Sequence, residues 1–177
     1  HNEISRIITE IGNFRKAENP NITGYEFHVI ELVSQVCPKD LILPYLRETA
    51  EELKTREPDD RWPFRCKVVL AGSENDDPDF TKLIESCGAE VVADRYCYGA
   101  VESRIPIVVK EGQETLDAIA RHYLDTSNCP RFMPQDTMRA RKQRIADLAR
   151  DYHADGVIVA SNKFCEYWSY ERVMGVH

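Results

Sequence analysis

The side chains best suited to chemistry in this 177-residue sequence are its six cysteines, at positions 37, 66, 87, 97, 129 and 165. A thiolate is a nucleophile or a metal ligand. A nucleophile wants a base beside it, and the five histidines stand at 1, 28, 122, 153 and 177. The three internal ones fall in predicted helices, and none has a spacing that sets it against a cysteine. A metal or iron–sulfur ligand wants partner thiolates. No CxxC pair occurs, so a cluster must draw its ligands from distant positions or from outside the chain. Cys37, Cys66 and Cys87 lie within or beside apolar faces and read as small buried hydrophobes. Cys129, before Pro130 in a polar loop, reads as a surface or structural residue. Cys97 and Cys165 stand apart, because each follows a predicted strand and has polar and aromatic neighbours. Lys163, two residues before Cys165, either holds an anion and favours the thiolate or is a plain exposed loop lysine.

The elements that must position these residues are legible from spacing. Ile4, Ile7, Ile8, Ile11 and Phe14 share one helical face. Asn19-Pro20-Asn21 breaks that helix. Thr23 and Glu26 form a capping box for a second helix, whose apolar face is Val29, Leu32, Val33 and Val36, with Pro38 as its stop. A third helix runs from about Lys39 to Arg56, with Ile42, Tyr45, Leu46, Ala50 and Leu53 on one side. The pattern then changes. Cys66–Gly72 reads as a buried strand closed by glycine. A helix capped by Asp76-Asp77-Pro78 follows, with Phe80, Leu83, Ile84 and Cys87 inward and Gly88 at its end, and Ala89 to Asp94 is the next strand. That β–α–β order implies a parallel pair with a right-handed crossover. Ile105 to Val109 reads as a short edge strand, since Pro106 forbids a central one. One further helix carries Leu116, Ile119, Ala120, Tyr123 and Leu124 on one face. A proline-bracketed loop (127–134) leads to another, with Ile145, Leu148, Ala149 and Tyr152 inward and Arg139, Arg141, Lys142 and Arg144 outward. Asp155 to Ser161 is the third strand, and Glu166 onward is helical.

These elements predict an α/β fold: an open parallel sheet of three to four strands with helices on both faces (58–177), preceded by a helical layer (1–57). Ligands in such sheets bind beyond the carboxyl ends of the strands. The rule selects Gly72-Ser73-Glu74-Asn75, Asp94-Arg95-Tyr96-Cys97 and Ser161 to Cys165 as the site-bearing segments. Gly72-Ser73 has neither a GxGxxG pattern nor a phosphate-loop lysine, which disfavours nucleotide binding there. The basic run at 139–144 reads as a solvated helix face, with docking of a partner or an acidic cofactor tail as the alternative.

Composition excludes several classes. Lys plus Arg number 23 against 30 for Asp plus Glu, a net charge of −7, which argues against nucleic-acid or anionic-membrane partners. The mean hydropathy is −0.47, and no apolar run nears the ~18 residues of a spanning helix. Without a signal peptide or a dense cysteine framework, the chain reads as cytoplasmic. It opens at His1 in what already looks helical, so we expect a piece of a longer protein.

The run from Asp155-Gly156-Val157-Ile158 to Lys163-Phe164-Cys165-Glu166 resembles a signature near the C-terminus of the 2-hydroxyacyl-CoA dehydratase and benzoyl-CoA reductase subunits. Further pieces are similar to that family: Ile22-Thr23-Gly24, Ala71-Gly72-Ser73 followed by Asp76-Asp77-Pro78, Val91 to Asp94 with Cys97 and Gly99, and Cys129-Pro130-Arg131. Together they cover most of the chain. The resemblance implies the second of two flavodoxin-like domains in a subunit that pairs with a related second subunit. It implies Cys165 as one of three thiolate ligands of a 4Fe–4S cluster, the other two lying outside this chain. It also implies an ATP-hydrolysing activator protein as electron donor, an acyl-CoA substrate and a ketyl radical. No ligand role passes to Cys97; with Tyr96, Asn162, Lys163 and Glu166 it is a candidate to line the substrate cleft. The form Asp94-Arg95-Tyr96-Cys97-Tyr98-Gly99 leans toward the aromatic-ring reductase branch. The rival readings are a non-enzymatic, small-molecule-binding module with structural cysteines, and an activator or maturation partner, the latter disfavoured by the lack of a phosphate-binding loop. On the enzyme reading the chain alone holds no intact cluster and has no activity.

Overall fold

The computed structural model of the chain describes residues 1–58, 63–96, 105–126, 130–131 and 135–175. In chain order they form α1 (Asn2–Asn13), α2 (Gly24–Val36), α3 (Lys39–Leu53), β1 (Cys66–Gly72), α4 (Pro78–Ser86), β2 (Ala89–Arg95), α5 (Thr115–Thr126), α6 (Gln135–Asp151), β3 (Gly156–Ala160) and α7 (Glu166–Gly175). The three strands are parallel in the order β2-β1-β3, the opening order of a flavodoxin-like winding. The expected open parallel α/β sheet is therefore present.

A parallel sheet has to be covered on both faces. Leu148 of α6 and Tyr152 just after it cover Val69, Val92 and Ala93. On the other face Val68, Leu70, Val91 and Tyr96 pack with Ile84 of α4. The first three helices close around their own cluster, with Ile4, Ile8 and Ile11 from α1, Phe27 from α2 and Leu46, Ala50 and Leu53 from α3.

Polar links join that helical layer to the sheet. The Glu85 carboxylate on α4 accepts the Gly24 and Tyr25 amides at 2.8 and 3.1 Å and the Val91 amide at 3.3 Å. It thereby satisfies the free N–H groups at the start of α2. A Cβ at Gly24 would fall 2.5 Å from the Val91 carbonyl oxygen, so only glycine lets α2 come this close to β2. Arg15 reaches Asp94 at 3.2 Å, with the two side chains 1% and 2% exposed, and its guanidinium lies 3.7 Å from the centre of the Phe27 ring.

Several faces differ from the spacing-based expectation. Helix α2 buries Gly24, Phe27, His28, Glu31 and Ser34, while Val29, Leu32 and Val33 are half-buried and Val36 is exposed. Helix α4 buries Thr81 and Glu85, and Phe80, Leu83 and Cys87 face outward. The cause is shared: the Glu85 cap and the His28–Thr81 bond set the rotation of both helices, so polar groups with fixed partners take the inner faces. Cys37 and Cys66 are half-buried rather than buried. Helix α3 stops at Leu53, before Arg56, because the Asn21 side-chain amide donates to the carbonyls of Leu53 and Arg56; Tyr45 on it is exposed. Helix α5 buries Ala118 and exposes Leu116, Tyr123 and Leu124. No strand forms at 105–109, since the Asn2 side chain takes both backbone groups of Ile107, donating to its carbonyl at 2.8 Å and accepting its amide at 2.9 Å. Arg141 is not on an outer face: it is 1% exposed and holds Glu171 of α7 at 2.6 Å. Among the described residues no helix is long and apolar enough to cross a membrane.

Candidate functional site

The carboxyl ends of the strands are laced together by short hydrogen bonds. Gly72 ends β1 with φ +141°, and a Cβ there would sit 1.8 Å from the Ala160 carbonyl oxygen at the end of β3. That approach lets the Ser73 amide donate to the Ala160 carbonyl at 3.0 Å. The Ser73 hydroxyl then accepts the Asn162 amide at 3.0 Å, and the Asn162 side chain donates to the Glu74 carbonyl at 2.7 Å. The loop leaving β3 is thus tied to the loop leaving β1.

Cys165 stands on that tie. Its amide donates to the Asn162 carbonyl at 3.0 Å, and its own carbonyl accepts the Ser169 amide at 3.0 Å, the first bond of α7. The thiol is half-buried at the N-terminus of this helix. Trp168 and Glu171 of α7 follow Cys165 at three-residue spacing. Trp168 and Glu171 are buried, the first 6.0 Å from the Arg95 guanidinium and the second paired with Arg141 on α6. The helix carrying the cysteine is therefore pinned to both α6 and β2. Lys163 and Glu166 flank the thiol and are exposed. The Lys163 ammonium lies 5.1 Å from the centre of the Phe164 ring.

On the β2 side, Tyr96 is 5% exposed and lies 5.3 Å from the His28 ring. His28 Nε2 faces the Asn75 carbonyl at 3.0 Å, and Nδ1 faces the Thr81 hydroxyl at 2.9 Å. A carbonyl only accepts, so Nε2 carries the proton and Nδ1 accepts from Thr81. Burial lowers the His28 pKa, against the raising effect of Asp94, and the ring is a neutral brace for the β1–α4 loop.

The structure thus brings Asn162 and Cys165 onto one rim with Ser73 and Glu74, and leaves Lys163 and Glu166 beside them. Tyr96 belongs to the core cluster of the sheet. Cys97 lies outside the described residues, as does Cys129. Ser73 stood in a segment selected from the sequence; His28, Arg15 and the Arg141–Glu171 pair did not, because their partners come from other elements and leave no local signal.

Whether a cluster fits can be tested on the donors present. Cys66 opens β1, about 20 Å from the rim at ~3.3 Å per residue. Cys87 closes α4, where Arg65 binds its carbonyl at 2.6 Å, and Cys37 follows α2. Among the described residues no group of three His, Cys, Asp or Glu could hold a metal ion. The described chain offers one thiolate at the rim, which fits one corner of a cluster completed by ligands from elsewhere. A cavity of about 590 Å³ lies at the opposite, amino ends of the strands, lined by Lys67, Glu90, His153 and Asp155 among others. Two of its charged groups are engaged internally. Lys67 Nζ donates to the carbonyls of Ala17 and Glu18, and Asp155 accepts the Lys67 amide.

Two comparisons bear on this arrangement. The family described as 2-hydroxyglutaryl-CoA dehydratase, D-component, matches residues 1–175. The (R)-phenyllactyl-CoA dehydratase beta subunit of Clostridium sporogenes is 26% identical over 127 residues, which is 71% of this chain and 32% of that protein. The chain spans about a third of the length of that curated relative.

Proposed function

Because the chain belongs to the 2-hydroxyglutaryl-CoA dehydratase D-component family, we propose that it is the Cys165-bearing part of an iron–sulfur subunit of an acyl-CoA dehydratase. The observation that carries the reading is the seat of Cys165: a half-buried thiol at a helix start, on the rim where open α/β sheets bind ligands, within a family match spanning nearly the whole chain. Dehydration is favoured over ring reduction because both the matched family and the curated relative are named as dehydratases.

In this reading Cys165 supplies one of three thiolates to a 4Fe–4S cluster, and the other two ligands come from outside this chain. When bound, such a cluster supplies an open iron position and the single electron for a ketyl-type elimination of the 2-hydroxyl from an acyl-CoA. The chain's own residues hold and orient. Asn162 and Ser73 fix the turn that carries the sulfur. Trp168, Glu171 and Arg141 fix the helix behind it. Lys163 and Glu166 stand exposed beside the thiol, placed to meet a polar substrate group. A related second subunit, an ATP-hydrolysing activator and a cytoplasmic, anaerobic setting complete the proposal.

The test is Cys165→Ser in the full-length subunit, purified anaerobically, with iron, sulfide and visible absorbance measured beside turnover. We expect loss of the cluster signal together with turnover. Unchanged iron and turnover would overturn the reading, as would a stoichiometric 4Fe–4S species reconstituted on this chain alone.

A further inference from the structure

We propose that Asn162 and Phe164 are positioning residues, which hold the Cys165 sulfur in a strained, pre-set turn bolted to the loop after β1. The inference deepens the reading above, since it concerns how the proposed ligand is held before any metal arrives.

The bond from the Cys165 amide to the Asn162 carbonyl closes a four-residue turn. Phe164, at the third position of that turn, has φ +72°, whereas Lys163 at the second does not have positive φ. This is the type II pattern, whose third position normally calls for glycine because a side chain is penalised there. Among the described residues the other non-glycine residue with positive φ is His153. It follows α6, where the His153 and Ala154 amides bond back to Arg150 and Ala149, a helix ending in which such a conformation is common. Phe164 has no such account. Nor does burial repay it, since the residue is 88% exposed.

A strained turn persists only where its surroundings over-determine it, and Asn162 supplies that determination. Its amide is held by the Ser73 hydroxyl, its side chain by the Glu74 carbonyl, and its carbonyl by the Cys165 amide. Ser73 is itself fixed, because Gly72 leaves no room between β1 and β3. The backbone that carries the sulfur is therefore referred to the sheet through two hydrogen bonds rather than left on a loose loop. A ligand placed in this way needs no reordering when the group it binds arrives.

The experiment uses the metal-free, reduced chain and measures iodoacetamide alkylation of Cys165 against the exposed Cys87 by peptide mass mapping. Working at about pH 9.5, where free thiols are ionised, makes the ratio report access. Asn162→Ala frees the side-chain tie, and Asn162→Asp sets an acceptor against the Glu74 carbonyl. Phe164→Val keeps an apolar side chain but penalises the turn; Phe164→Gly removes the ring and permits the turn. We expect the two Asn162 variants and Phe164→Val to raise the ratio about fivefold or more, the scale of a local opening. Phe164→Gly should stay within about twofold of the parent, with a melting temperature at or above it. An unchanged ratio in Asn162→Ala, or a Phe164→Gly that behaves like Phe164→Val, would overturn the proposal. No iron enters these measurements, so their failure is separable from failure of the Cys165→Ser test, which reads the cluster itself.

Discussion

Arg15 shows how much a single residue can decide in this molecule and how little its sequence context announces it. Its pair with Asp94 spans 79 positions, and both side chains are withdrawn from water. The pair joins the helical layer to the carboxyl end of β2, one residue from Arg95 and two from Tyr96. Removing one partner of a buried pair takes away the other's counter-charge inside the protein, where it is costly to lose. We therefore expect Arg15→Met to cost about 3–5 kcal/mol in urea unfolding, with Arg15→Met/Asp94→Asn recovering part of the loss. The placement of Lys163 and Cys165, by contrast, was readable because it is local: a strand, a short polar loop and a helix start, in that order. His28 was not, since its contacts with Thr81 and Asn75 lie 53 and 47 positions away.

At the scale of elements, ends were more readable than faces. The Thr23–Glu26 box is present as spacing predicts, and so is the Asp77 cap followed by Pro78. Both are short-range hydrogen-bond patterns that a few residues specify. The inner faces of α2 and α4 were misread because hydrophobic periodicity assumes an apolar neighbour, and these two helices meet through Glu85, His28 and Thr81. The two caps of α2 should separate cleanly on substitution. Thr23→Ala should cost about 1 kcal/mol, as for an ordinary cap. Glu85→Ala leaves the amides of Gly24, Tyr25 and Val91 without their acceptor and should cost about 2–4 kcal/mol. Thermal or urea unfolding of the two variants side by side checks the order, and an equal loss would count against Glu85 as the stronger cap.

For the whole molecule, buried ionisable groups make stability depend on pH in two opposing ways. Burial raises Glu90 to about 7 from its model-compound value of 4.5, against Lys67, with Glu85 adding to the rise. The folded state then keeps a proton that the unfolded chain has released. Stability from this group is present below pH 4.5 and is lost as pH rises through 7. A shift of that size corresponds to roughly 3 kcal/mol. His28 acts with the other sign, because burial lowers its pKa from 6.5 and the unfolded chain gains a proton first as pH falls below that value. Comparing variants isolates the first term. The stability advantage of Glu90→Gln over the parent should grow between pH 4.5 and 7 and level off above. A difference that is flat across that window would show that Glu90 titrates normally.

Order along the chain, the parallel β–α–β unit, the capped helix starts and the cysteine at the last strand exit follow from the sequence alone, because neighbours within a few residues determine them. Tertiary structure alone decided which side of each helix turns inward, that Ile107 pairs with the Asn2 side chain instead of joining the sheet, and that Arg141 is buried against Glu171 rather than solvated. It also decided that Asn162 bolts the Cys165 turn to the loop after β1. Each of these depends on a partner supplied by another element, and a hydrogen bond or ion pair withdrawn from water is fixed by where the chain brings its two ends together, which local composition does not encode.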